Sequence, residues 1–367
     1  MMKELTIGNF KCSLPIIQGG MGVGVSLSGL ASSVANEGGV GVISCAGLGM
    51  LYKDGFDYRL NCIFGLKEEI TKARNLSKGV IGVNIMVALT NYADMVRTSL
   101  DNKIDIIFSG AGLPLNLPSY LKPGDKTLLV PIVSSARAAE LICNKWINNY
   151  GYIPAAIVVE GPEAGGHLGF KVEQIGDRSY SLEEIVPEVL KVAHKFEALY
   201  NRHIPVIAGG GIYSGDDIHK FMELGASGVQ MGTRFVATEE CDASDAFKQA
   251  YLAARKEDIR IIKSPVGMPG RAINSVFLEA VEAGERKPKS CPVNCIKTCD
   301  VDKVPYCIIA SLTSALKGNF SKGYAFAGSN VWKVKSIVPV KDLIKELKEE
   351  YAMASSLNEL SLCESAM

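Results

Sequence analysis

The sequence predicts an α/β chain folded as a (β/α)8 TIM barrel with a C-terminal, mainly helical lid or extension. Three observations predict it. Eight short apolar runs recur within residues 1–240, and helix-like segments separate them. The runs are almost continuously apolar rather than alternating, which marks strands covered on both faces and hence a parallel sheet. Eight alternations admit a closed barrel or a doubly wound open sheet, and the count of eight favours the barrel.

The expected strands are Pro15–Gln18, Val40–Ser44, Val80–Val87, Ile104–Ser109, Thr127–Val133, Ala155–Val159, Ile204–Ala208 and Gly228–Gly232. Ser28–Glu37 and Ala136–Cys143 carry apolar residues at helical spacing. Asp216–Leu224 opens with acidic capping residues and stops at Gly225. Residues 1–240 form the expected barrel. Residues 241–340 form a lid or substrate segment with a Cys-rich loop, and residues 341–367 a terminal helix and tail. Within that tail, Lys341–Glu350 reads as an amphipathic helix and Ser355 onward as a frayed end.

Composition narrows the function. The chain has 367 residues, 47% hydrophobic, with Lys+Arg and Asp+Glu balanced at 39 each. No basic stripe with interleaved aromatics occurs, so nucleic acid is not an expected partner. The N-terminus lacks a signal-like apolar run, and no stretch has the roughly 20 apolar residues that span a bilayer. A cytoplasmic protein acting on a small molecule is expected, without membrane association. The oligomeric state stays open, with a homodimer as one assembly.

Glycine and polar residues gather after the strand ends: Gly19-Gly20, Asn84, Gly110-Ala-Gly112, Ser134-Ser135, Glu160 to His167, Gly209-Gly-Gly211 and Gly232-Thr233. That is the face on which barrel enzymes build their sites. His167 follows a strand directly, inside a Gly-rich turn. The other three histidines, His194, His203 and His219, lie in polar helix-like or loop contexts. His167 is therefore the candidate catalytic imidazole, against the alternative of a turn histidine that only caps backbone groups. Gly209-Gly-Gly211 and Gly232-Thr233 follow the seventh and eighth strands, where barrels often hold phosphate on backbone N–H groups. Gly20-Met-Gly-Val-Gly24 lacks the dinucleotide-binding spacing, and no Gly-Lys-Ser/Thr occurs.

Six motifs, in order, resemble the nitronate monooxygenase (2-nitropropane dioxygenase) family, whose superfamily includes flavin-dependent enoyl-acyl-carrier-protein reductases. They are Pro15-Ile-Ile-Gln-Gly-Gly-Met21, Gly82-Val-Asn-Ile-Met86, Gly110-Ala-Gly-Leu-Pro114, Glu160-Gly-Pro-Glu-Ala-Gly-Gly-His167, Pro205 to Ile212 and Gly225 to Phe235. The resemblance implies an FMN-binding barrel. It places Gly19, Gly20 and Met21 along the flavin ring and Asn84 against the ring or ribityl chain. Gly209, Gly210, Gly211, Gly232 and Thr233 would hold the phosphate. Glu160, Gly165 and Gly166 would shape the turn under the flavin, and His167 matches the catalytic histidine. The implied activity is oxidation of alkyl nitronates with O2. The alternative is NAD(P)H-dependent reduction of an enoyl-acyl-carrier protein, to which Gly82–Met86 and Gly110–Gly112 are closer. A third reading, of another class, is a flavin-free barrel that binds a phosphorylated metabolite. An acyl carrier would need a basic rim, for which Lys287, Lys289 and Lys297 are the candidates, unless they simply sit in a solvated loop.

After the barrel pattern, helix-like sequence is expected to about Asp258. Ser264–Arg271 then reads as a Pro/Gly-rich loop that either closes over the site with Arg271 near an anion or turns at the surface. Cys291, Cys295 and Cys299 are spaced by four, which puts them on one face if that stretch is helical, and Cys307 follows. Four near thiols suggest a metal or iron–sulfur cluster, with free or redox-active thiols as the alternative. The spacing matches neither common zinc pairs nor the ferredoxin run.

Overall fold

The computed structural model describes residues 2–52, 57–291 and 293–365, without side chains from residue 359 on. A short antiparallel hairpin, β1 (Leu5–Ile7) and β2 (Phe10–Cys12), precedes eight parallel strands. These are β3 (Ile16–Gln18), β4 (Gly41–Ser44), β5 (Ile81–Met86), β6 (Ile106–Gly110), β7 (Leu128–Val133), β8 (Ile157–Glu160), β10 (Val206–Gly209) and β11 (Gly228–Met231). Each strand pairs with its sequence neighbour in the barrel, and β11 returns to β3. The seam between β3 and β4 closes through Gln18 N to Val40 O and Val40 N to Ile16 O, both 2.9 Å. The Gln18 carboxamide completes it, accepting the Val42 amide at 2.9 Å and donating to Val42 O at 3.2 Å. All eight expected strands are present, with ends displaced by one or two residues.

The barrel interior is filled, not open. Ile17, Val42, Ile106, Phe108, Val130, Val158 and Ile207 form one buried cluster with Leu5 and Ile7 of the hairpin, which plugs the N-terminal end. A second, larger core lies between the strands and the surrounding helices. Those helices are α1 (Ser28–Asn36), α2 (Tyr58–Leu76), α3 (Tyr92–Asp101), α4 (Ala136–Tyr150), α5 (Leu182–Tyr200), α6 (Gly215–Glu223) and the short α7 (Thr233–Val236). With its foot plugged, the barrel offers a ligand only the C-terminal strand ends.

The rest of the chain covers that end. It comprises α8 (Asp245–Ala253), the hairpin β12 (Ile259–Lys263) and β13 (Pro269–Ile273), then α9 (Val276–Glu282), α10 (Ile308–Leu316) and α11 (Val340–Ser365). Three expectations change here. Ser264–Arg271 is not a free loop: Ser264–Met268 is the turn of a hairpin, and β13 pairs with the two-residue strand β9 (Gly166–His167). Arg271 is not on the surface. It is buried, and its Nη1 donates to Pro162 O and, at 2.9 Å, to Ala164 O. The guanidinium thus braces the turn that carries His167. Among the described residues, Cys291 and Val293–Cys299 are not helical, so spacing by four does not align the thiols. The terminal helix continues past Ser355 to Ser365, since residues 340–365 contain no Gly or Pro to stop it.

Candidate active site

Barrel strand ends and the covering segments enclose one cavity. From the first half of the barrel come Gly19, Gly20, Met21, Ser44, Asn84 and Met86. From the second half come Glu160, Gly165, Gly166, His167, Gly210, Gly211, Gln230, Gly232 and Thr233. All the candidate cofactor residues line it except Gly209. That residue ends β10 in full burial and spends its carbonyl on Gly161 N at 2.8 Å.

Several glycines are required by close approach. A Cβ on Gly20 would stand 2.3 Å from Asn84 Cβ. Gly210 and Gly211 have φ of +101° and +82°, which a side chain rarely adopts. Thr233 Oγ1 accepts Gly328 N at 3.0 Å, so its own hydrogen stays available to a ligand. Asn330 Nδ2 donates to Gly211 O at 2.6 Å and fixes the glycine loop. A strip of bare backbone beside a free hydroxyl suits a phosphate monoester. The residues present therefore fit FMN.

His167 stands across the cavity. Its Nε2 lies 2.7 Å from Ser264 Oγ, and Phe326 meets its ring edge-on at 5.0 Å between centroids. Burial lowers the imidazole pKa to about 4, so the ring is neutral at neutral pH. Among the described residues, its other nitrogen has no hydrogen-bond partner and is left for a ligand. Glu160, at the end of β8, faces the same cavity. Burial pushes its carboxyl up to about 7, and no described side chain or amide pairs with it. No Lys or Arg side chain is among the cavity's described lining residues.

Sequence reasoning missed the far wall. Tyr251, Leu312, Tyr324, Phe326 and Asn330 all reach the cavity from the covering segments. Tyr251 donates its hydroxyl to Phe326 O, and Tyr306 donates to Tyr324 at 3.1 Å. One signal was available: Gly323-Tyr-Ala-Phe-Ala-Gly328 alternates aromatics with small residues between glycines, unlike an ordinary surface loop. Of the candidate rim lysines, Lys287 and Lys289 are exposed, while Lys297 donates to Val87 O at 2.8 Å.

The family model for nitronate monooxygenase matches residues 3–350. This chain belongs to the nitronate monooxygenase family. A probable nitronate monooxygenase of Bacillus subtilis (strain 168) is 24% identical, over 93% of this chain and 97% of the relative. A hydroxy-methyl-oxo-octahydro-indene-carboxyl-CoA dehydrogenase of Rhodococcus jostii (strain RHA1) is 27% identical over 73% of this chain. That match spans only 65% of the relative's length. Among solved structures, FabK from Thermotoga maritima superposes with a TM-score of 0.72 at 25% identity, covering 95% of this chain and 96% of FabK. Nitroalkane oxidase from Streptomyces ansochromogenes superposes at 0.71 with 22% identity, over 94% of this chain and 98% of that one, and shares the fold. No helix among the described residues is long and apolar enough to cross a membrane.

Proposed function

We propose that this protein is an FMN-dependent oxidoreductase of the nitronate monooxygenase type, acting on small alkyl nitronates with O2. The observation that carries the reading is a neutral, half-buried imidazole, fixed by Ser264 and Phe326, facing a glycine-lined cradle across one cavity. Gly210, Gly211, Gly232 and Thr233 would hold the phosphate, with Gly209 setting the strand end behind them. Gly19, Gly20, Met21 and Asn84 would flank the ring, and Glu160, Gly165 and Gly166 would form the turn beneath it. When bound, FMN supplies the electron acceptor that passes electrons on to O2.

The chain's own residues supply position and proton control. His167 keeps its unpaired nitrogen toward the substrate, either to orient a nitronate oxygen or to take the α-proton of a neutral nitroalkane. Tyr324, Phe326 and Leu312 exclude water above it. Burial raises the Glu160 carboxyl to about 7, which favours its neutral form and weakens its repulsion of an anionic substrate.

One observation favours a second reading, NAD(P)H-dependent reduction of an enoyl thioester. The described cavity lining lacks a cation to pair with a nitronate, whereas an uncharged enoyl group needs none. The likeness to a carboxyl-CoA dehydrogenase and to FabK points the same way. Anaerobic mixing separates the two. Flavin absorbance bleached by propyl-2-nitronate, and not by NADH or NADPH, supports the first. Bleaching by a pyridine nucleotide alone overturns it in favour of the second. Protein that binds no flavin after reconstitution removes both.

A further inference from the structure

Among the described residues, no three His, Cys, Asp or Glu side chains are grouped to hold a metal ion, and Cys291, Cys295, Cys299 and Cys307 stand as free thiols. A cation for the site is found instead at the end of the cavity formed by the glycine cradle. Three segments meet there: Gly210–Tyr213 after β10, Thr233–Arg234 after β11, and Gly328–Lys333 of the covering chain. Hydrogen bonds tie the third to the other two, from Gly328 N to Thr233 Oγ1 and from Asn330 Nδ2 to Gly211 O. Glu163 reaches the same place. Its Oε2 accepts the Ser329 hydroxyl at 3.0 Å, and a Cβ on Gly211 would stand 2.5 Å from that oxygen.

A carboxylate against the loop that would hold a phosphate works against binding. A phosphate monoester carries a charge of about −1.5 to −2 near neutrality. Backbone N–H groups offer it partial charges only, and Glu163 repels it. The arrangement calls for a full positive charge. Arg234, next to Thr233, is already engaged: its guanidinium donates to Glu346 at 2.8 Å and to Tyr213 O at 3.4 Å. Lys333 is not. Its ammonium lies 5.6 Å from the centroids of both the Tyr213 and Trp332 rings, and no carboxylate among the described residues pairs with it. Tyr213 lines the cavity, so this ammonium stands beside the cavity wall. The lysine is half-buried, and its amide donates to Asn330 O at 3.0 Å, which couples it to the residue that fixes Gly211. An ammonium that has given up part of its water shell for aromatic faces alone keeps most of its charge unbalanced.

We propose that Lys333 supplies the counter-charge for the phosphate monoester of the bound ligand, offsetting Glu163 at the glycine cradle. A flexible stem with three rotatable donors suits a lysine to a phosphate that backbone groups already fix in place. Tyr213, with the Arg234 guanidinium 4.6 Å from its centroid, is the ring that keeps the ammonium at the cavity wall. The proposal rests on the flavin reading above for naming FMN as the monoester, and it is independent of which substrate is turned over. Its consequence is that the preference for FMN over riboflavin comes largely from one side chain of the covering segment. The cofactor then ties that segment to the barrel through charge.

The test is equilibrium binding of FMN and of riboflavin to the flavin-free full chain, read by quenching of flavin fluorescence. Lys333→Met should weaken FMN about tenfold or more, as loss of a charged hydrogen bond does, and leave riboflavin within about twofold. Lys333→Arg should retain most of the FMN affinity. Glu163→Gln should tighten FMN and not riboflavin. Raising salt from roughly 0.05 to 0.5 M should weaken FMN more in wild type than in Lys333→Met. Lys191→Met, exposed on α5, controls for the loss of any one cation and should change nothing. Circular dichroism identifies a variant that fails to fold, in which case Glu163→Gln and the wild-type salt dependence decide. FMN held equally by wild type and Lys333→Met overturns this proposal alone, as does a folded variant that loses FMN and riboflavin to the same degree. Wild-type protein that binds neither flavin overturns the flavin reading with it.

Discussion

Ser264 Oγ lies 2.7 Å from His167 Nε2 and accepts the Val266 amide at 3.2 Å. With that amide on one lone pair, the hydroxyl can donate to Nε2, which places the ring proton on Nδ1 to hold a nitronate oxygen, or accept from Nε2–H, which leaves Nδ1 bare to take an α-proton. Ser264 is then a positioning residue that sets which nitrogen carries the proton. Ser264→Ala should retain cofactor and lower turnover about fivefold to tenfold, the worth of one hydrogen bond of about 1 kcal/mol. Ser264→Thr should restore most of it. The readout is kcat against KM, with KM nearly unchanged.

His167→Ala removes the proton-handling group and leaves the glycine cradle intact. Flavin content, read by absorbance after denaturation, should match wild type. Turnover should fall by roughly 10²- to 10⁴-fold. Unchanged turnover would assign His167 a purely structural role.

Glu160 and His167 should impose opposite pH dependences on the stability of the flavin-free protein. Glu160 is raised from 4.5 to about 7, so the folded state binds more protons across that window and stability falls as pH rises through it. His167 is lowered from 6.5 to about 4, so the unfolded state binds more protons there and stability falls as pH drops. Between about pH 4.5 and 6.5 the slopes oppose each other, each reaching at most about 1.4 kcal/mol for a tenfold change in proton concentration. His167→Gln should expose the loss on raising pH, and Glu160→Gln the loss on lowering it. Urea midpoints across the pH range check this, and slopes of the same sign in both variants would refute it.

Gly20→Ala puts a methyl 2.3 Å from Asn84 Cβ, which β5 holds in place, and 3.2 Å from Val42 Cγ1. Overpacking of this kind costs about 1–3 kcal/mol, and displacement of Asn84 should also weaken flavin retention. Gly176→Ala, where a Cβ meets nothing within 4 Å, is the control and should change neither quantity.

The barrel was legible because burial on both faces demands unbroken apolar runs such as Ile204–Ala208, and because glycines pile up where those runs stop. His167 was legible through its place directly after a strand. The pairing of Gly166–His167 with β13 was not, since two residues carry no periodicity and their partner lies far along the chain. Arg271 looked like a loop cation for the same reason. Its carbonyl partners Pro162 and Ala164 become neighbours only once that pairing forms. The length of α11 was underestimated because polar residues near the terminus suggested fraying, whereas a helix needs only the absence of a breaker.

The Gln18 bridge and the β3–β11 pairing bear on the order in which the molecule is assembled during translation. Gly19 N reaches Met231 O, so the first cradle residues find their partners only when the eighth barrel strand has left the ribosome. Until then β3 has a free edge and the nascent chain has no mouth in which to capture a nucleotide. On the proposed flavin reading, cofactor loading is a late event in biogenesis, and a polypeptide arrested before β11 should emerge colourless.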